Sequence, residues 1–132
     1  MKQIIPPNAV EIEEVIIGAM LVDAKGVDEA MNVIKFGEVF YKAEHRIIYE
    51  TIRQMYLDST PIDLLSVADR LQSIGKLEEV GGHFNLIELS QKITSSAHIE
   101  HHCRIVLQHY IKRNTAMIAE QIRVKAYDDT VD

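Results

Sequence analysis

Helix breakers are scarce in this chain of 132 residues, which holds three prolines and six glycines. That scarcity argues against a many-turned β fold and in favour of helices. Cysteine occurs once, at Cys103. A disulfide framework is therefore excluded, and a reducing cytoplasm is the expected setting. No apolar run approaches the roughly 20 residues of a membrane span, and residues 1–8 are polar and proline-containing, unlike a signal peptide. Repeats, low-complexity tracts and strand-period alternation are absent as well.

Catalytic signatures are also missing. A phosphate-cradling loop needs two glycines at fixed spacing, a lysine and then Ser or Thr. The Gly75-Lys76 pair is followed by Leu77, and Arg70 stands where the first glycine belongs. Neither G-x-S-x-G nor H-E-x-x-H occurs. The net charge of −6 argues against a surface built to neutralise phosphates. That charge is uneven: residues 1–96 hold nine Lys/Arg against fifteen Asp/Glu, and residues 97–127 hold five against two.

What the chain has in quantity is helical pattern. Ser96–Tyr127 contains no Gly or Pro and would run roughly 45–50 Å, longer than a small domain is wide. Leu107, Ile111, Ile118 and Ile122 form one apolar row, with Val106, Tyr110, Met117 and Val124 on the neighbouring row. Lys112, Arg113, Glu120 and Arg123 point elsewhere. The expectation is that the other segments fold around the first half of this rod and leave Ile111–Val124 without cover. Tyr110, Ile111, Met117, Ile118, Ile122 and Val124 are thus the candidate protein interface.

The preceding residues read as about six short helices in one all-α head, residues 1–95, with residues 96–132 as the rod. Asn8 is the expected N-cap of the first helix, with Glu11 as capping-box partner and Ile12, Val15, Ile16, Ala19 and Met20 or Val22 inward. Gly18 suggests close helix packing. The acidic Glu11, Glu13 and Glu14 suit a first helical turn, where the dipole favours them. Val27, Met31 and Ile34 mark a second helix. Phe36, Val39, Phe40 and Tyr41 form an aromatic turn. A third helix over 43–58 carries Ile48, Ile52 and Met55, with Tyr49 and Tyr56 beside them. Asp63 caps a fourth, which ends at Gly75. Gly81-Gly82 then admits a helix with Phe84, Ile87 and Leu89 inward, and Thr94-Ser95-Ser96 caps the rod.

Histidines provide the sharpest chemical suggestion. His98 and His102 stand one helical turn apart with His101, Cys103 and His109 nearby. Zinc requires three or four ligands, and no second ligand pair is evident. No metal site is assigned. Cys103 reads as a small buried hydrophobe and His45 as a packing histidine with one hydrogen bond.

Several segments together resemble a known family. They are Pro6-Pro7-Asn8 with the helix Glu11–Leu21, Phe40-Tyr41 with His45-Arg46-Ile47-Ile48-Tyr49, and Pro61-Ile62-Asp63-Leu64. Leu77-Glu78-Glu79-Val80-Gly81-Gly82 follows, then Ser96-Ala97-His98-Ile99-Glu100 with Arg104-Ile105-Val106. In order and spacing they are similar to the N-terminal domain of the bacterial replicative DNA helicase, the DnaB family. His98, His102 and Cys103 depart from that family's usual Asn, Tyr and Ala, and Phe84-Asn85 from a small residue followed by Tyr. The resemblance implies a helical head and the first arm of a helical hairpin, paired with other copies of itself in a hexamer and docking primase. It also implies that the second arm and a C-terminal RecA-like motor, with its ATP and magnesium, lie outside this chain, which is then part of a longer cytoplasmic protein. No catalytic residue, cofactor or membrane contact is expected in residues 1–132, and DNA would be engaged through the motor. The helicase-binding domain of primase and a freestanding helical DNA-binding module using Lys112, Arg113, Arg123 and Lys125 are the alternatives. A metal-dependent enzyme at His98 and His102 is a third.

Overall fold

Six consecutive residues, Ile16 to Leu21, are buried in the first helix, α1 (Val10–Val22). Six residues span more than one and a half turns, so such a run is hidden only when other elements surround the helix. The computed structural model, which describes residues 8–92 and 98–130, supplies those elements. They are α2 (Ala24–Val33), α3 (Ala43–Leu57), α4 (Leu64–Ser73), α5 (Gly82–Ser90) and α6 (Ile99–Ala126), with single 3-10 turns at Gly37–Val39 and Glu78–Val80. Each of α2 to α6 touches α1. The head is therefore built around α1, and the long helix α6, expected to be its organising element, is one of five packed on it. Ile12 and Val15 are half-buried at the edge of this core and Val22 is exposed.

Local chemistry explains the boundaries. Asp23 both ends α1 and caps α2, accepting the Lys25 N–H at 3.0 Å. The two helices approach closely at Gly26, where an added Cβ would sit 3.0 Å from the Ala19 carbonyl oxygen. Gly18 is buried one residue earlier in α1. Asp63 and Ser66 form a reciprocal capping box at α4, with bonds of 2.8 and 2.9 Å. That helix stops in a Schellman arrangement: Lys76 N–H reaches the Leu71 carbonyl at 2.8 Å, across Gly75 at φ +72°. Gly81 and Gly82, at φ +97° and +72°, turn the chain into α5.

Two sequence expectations need correction. The N-cap of α1 is Ala9 and not Asn8, and Ala9 makes no side-chain capping bond. In α5 the inward residues are Leu86 and Leu89, whereas Phe84 and Ile87 face solvent. Apolar side chains at 84, 86, 87 and 89 offer two alternative faces. Contact with α1 and α4 selects the pair at 86 and 89. The Thr94–Ser96 cap and the 95/96 boundary fall outside the described residues. The helix that follows starts at Ile99, with His98 as N-cap.

Candidate protein-interaction surface

Twenty-eight residues make α6 about 42 Å long. Its first third belongs to the head: Ile99, Cys103 and Val106 are buried, with Leu107 and Tyr110 packed beside them. Every residue from Thr115 to Thr130 is exposed. Ile111, Met117, Ile118, Ile122 and Val124 retain 45–63% of their accessible surface. On the helical wheel Ile111, Ile118 and Ile122 fall within about 40° of one another, with Met117 and Val124 on a second row about 120–140° further round. The rod does outgrow its globule. Tyr110 is the exception among the candidates, because it is half-buried, edge-on to Phe36 with ring centroids 5.6 Å apart.

The root of the rod is a joint with the aromatic turn. Arg113 donates from Nη2 to the Val39 carbonyl at 2.9 Å and lies over the rings of Tyr41 and Tyr110, 5.2 and 5.8 Å from their centroids. Burial pulls the Arg113 pKa below its ordinary value, and the negative charge of Glu13 opposes that shift. The turn expected to plug into the core does so through Val39 and Phe40, with Tyr41 half-buried and Phe36 more exposed.

Glu13 sits in the first turn of α1, as expected, but its burial and its partners were not foreseen. It is buried with 1% of its surface accessible, and its carboxylate reaches across to the start of α3. Oε2 accepts the Tyr41 N–H at 2.6 Å, and Oε1 accepts the Lys42 N–H at 3.3 Å. His45 Nδ1 lies 2.8 Å from Oε1. Lys42, the N-cap of α3, supplies no side-chain cap of its own. A carboxylate from α1 therefore does that work, where the helix dipole also favours negative charge. A signal did exist: Glu13 precedes Ile16, Ile17 and Met20 by three, four and seven residues, which places it on the buried face. His45, with this hydrogen bond and an edge-on contact to Phe40, is the packing histidine expected.

The basic face proposed for DNA is weaker than its sequence. Arg113 is docked on the turn, and Arg123 pairs with Glu120 at 2.7 Å. Lys112 and Lys125 are exposed. Among the described residues no group of three His, Cys, Asp or Glu is placed to hold a metal ion. His98 and His101 are exposed and His102 is half-buried. Burial, then the neighbouring His101 and His98, holds the His102 imidazole below its usual pKa. Burial also pushes the Cys103 thiol up to about 12, with Glu29 and Glu100 adding to the shift. Such a thiol is a poor nucleophile. No helix among the described residues is long and apolar enough to cross a membrane.

A model of the DnaB-like helicase N-terminal domain matches residues 5–108. Among curated proteins, the replicative DNA helicase DnaB of Rhodothermus marinus is 31% identical over 128 residues, covering 97% of this chain and 13% of the relative. The Geobacillus stearothermophilus counterpart is 30% identical over 130 residues, covering 97% and 28%. The chain thus spans less than a third of these relatives. The crystal structure of the DnaB N-terminal domain from Mycobacterium tuberculosis superposes with a TM-score of 0.89 at 22% identity, covering 96% of this chain and 91% of that one. The structure of a DnaB-like replicative helicase and its interactions with primase gives a TM-score of 0.75 at 26% identity, covering 86% and 27%.

Proposed function

Because the chain belongs to the DnaB-like helicase N-terminal domain family, we propose that it serves assembly and partner docking within a hexameric replicative helicase, and not catalysis. Membership of this family decides against the helicase-binding domain of primase. The reading divides the chain into a head, residues 1–95, and a rod, residues 96–132, the first arm of a helical hairpin. Other copies of the chain and primase are the partners it names. ATP and magnesium, strand translocation and contact with DNA are assigned to a RecA-like motor outside residues 1–132, in the cytoplasm of a bacterial cell. The absence of a P-loop from the sequence fits that division.

One observation carries the proposal: the uncovered apolar rows of α6. Full burial of a large apolar side chain stabilises by about 1.5–3 kcal/mol, and five such side chains stand roughly half exposed on the rod. A second helix laid along Ile111, Ile118 and Ile122 recovers that term for those three, and a further neighbour in the assembly covers Met117 and Val124. That second helix comes from the hairpin's other arm or from another copy, both parts of one helical assembly. Primase then meets the outer surface of that assembly, consistent with the primase interactions of the similar helicase structure.

The test is sedimentation of the full 132-residue chain beside Ile118→Asp. A carboxylate at the centre of the row should abolish concentration-dependent association while leaving the head's melting temperature unchanged, since Ile118 is exposed. Association of equal strength in the variant would refute the assignment of that row.

A further inference from the structure

Between α2 and α3, residues 36–42 are gripped by side chains from three different helices. Glu13 of α1 takes the Tyr41 and Lys42 N–H groups. From α3, Arg46 donates to the Phe40 carbonyl at 3.0 Å and the Tyr41 carbonyl at 2.8 Å, and the Glu50 carboxylate accepts the Gly37 N–H. Arg113 of α6 takes the Val39 carbonyl and covers the Tyr41 ring. A cleft of about 280 Å³, lined by Glu38, Tyr41, Arg46, Tyr110, Arg113 and Met117, opens this point to solvent.

Among the described residues, Arg113 is the last of α6 whose side chain bonds to the head, and Thr115 to Thr130 are all exposed. Packing of Ile99, Cys103, Val106, Leu107 and Tyr110 on the head seats the helix, and the Arg113 contacts are the last hold before its exposed half. Small changes there are amplified: Lys125 lies about 18 Å beyond Arg113, so a swing of about 15° displaces it by roughly 5 Å. We infer that the Arg113–Val39–Tyr41 clasp, held in shape from below by Glu13, is a conformational joint that fixes the angle at which the rod leaves the head. This goes beyond the assembly reading and rests on it in one respect: association keeps the outer half of the rod helical.

The chemistry of the clasp makes it separable from general stability. A guanidinium can donate to a carbonyl and stack on a ring at the same time, which an ammonium does less well. Glu13 acts on the rod through the turn and not by touching α6's outer half, so it is a positioning residue. The neighbouring Lys112, one residue along the same helix, is exposed and serves as the control.

The experiment is a double electron–electron resonance measurement on the full chain, with spin labels at Asp69→Cys in α4 and Lys125→Cys in α6. Both sites are exposed, while Cys103 is buried and escapes labelling. Labelled chain is diluted into a large excess of unlabelled chain, so that only intramolecular distances are read. The clasp predicts a shift or broadening of roughly 5 Å in Arg113→Ala and in Tyr41→Ala, corresponding to the swing above. Tyr41→Phe, which keeps the ring, and Lys112→Ala should keep the parent distribution. Far-UV circular dichroism reports whether the head is folded, and Tyr41→Ala is the readout should Arg113→Ala fail to fold. Parent-like distances in a folded Arg113→Ala or Tyr41→Ala chain would overturn the inference, as would equal broadening in Lys112→Ala. Sedimentation of the same variants reports separately on association.

Discussion

Replacing Glu13 by Ala should destabilise the head more than any other single carboxylate change. Three donors lose their acceptor at once: the Tyr41 and Lys42 N–H groups and His45 Nδ1, all converging on a side chain with 1% exposure. A hydrogen bond to a charged group contributes about 1.5–3 kcal/mol, but the three share one carboxylate and do not add in full. A buried donor left without its acceptor costs about 1–3 kcal/mol. The expected loss is therefore about 3–5 kcal/mol, a large part of the 5–15 kcal/mol that typically holds a domain together. Urea denaturation followed by circular dichroism at the helical band reads that loss directly. The control is Glu14→Ala, whose carboxylate makes a half-exposed ion pair with Lys92 at 3.9 Å and should cost less than about 1 kcal/mol. Glu13→Gln retains one acceptor oxygen but turns an amide donor toward other donors, so it should fall between the two. Hydrogen exchange adds a local signature, with the Tyr41 and Lys42 amides losing protection first. A loss below about 1 kcal/mol in Glu13→Ala would refute the capping argument.

Other expectations follow from single positions. The Cys103 thiol, pushed up to about 12, should resist thiol reagents in the native state and react only on unfolding. Because its folded pKa lies above the ordinary 9.0, its contribution is fully present below pH 9 and lost as pH rises toward 12. Alkaline melting should thus be less steep in Cys103→Ala. Ser59 sits at φ +56° after α3, in the left-handed region that favours glycine. Ser59→Gly should raise stability by about 0.5–1 kcal/mol, measured by the urea midpoint, and a loss would contradict that geometry. Asp63, held below the ordinary carboxylate pKa first by the Ser66 backbone N–H and then by its hydroxyl, caps α4. Asp63→Ala should cost about 1 kcal/mol at neutral pH, and the difference should fade as acid takes the pH below 3.8, since a depressed folded pKa stabilises above the unfolded value and not below it.

Most helices of the head were legible in the sequence because they carry an apolar stripe at helical spacing, and in α4 a cap and a glycine, Asp63 and Gly75, also mark its ends. The rod was legible for the same reason, and its bare outer half follows from length alone. What periodicity does not carry is rank. From Val15 to Val22 α1 is apolar all round, so its place at the centre emerges only when α2 to α6 are seen around it. In α5, Phe84 with Ile87 and Leu86 with Leu89 are equally spaced pairs, and only contact with α1 and α4 decides between them. Glu13 finds its partners 28 to 32 residues away, beyond any local pattern. Arg113 likewise looked like part of a solvated face because its carbonyl and ring partners lie in the 36–42 turn.

Hydrogen exchange along α6, followed as a function of protein concentration, tests the central claim most directly. An overhanging helix of about a dozen residues is marginal in water without a partner. The account predicts weak protection at residues 114–124 in dilute monomer, rising with concentration as rods associate, while Ile99 to Val106 stays protected throughout. Strong protection at 114–124 in a sample shown by sedimentation to be monomeric would contradict it.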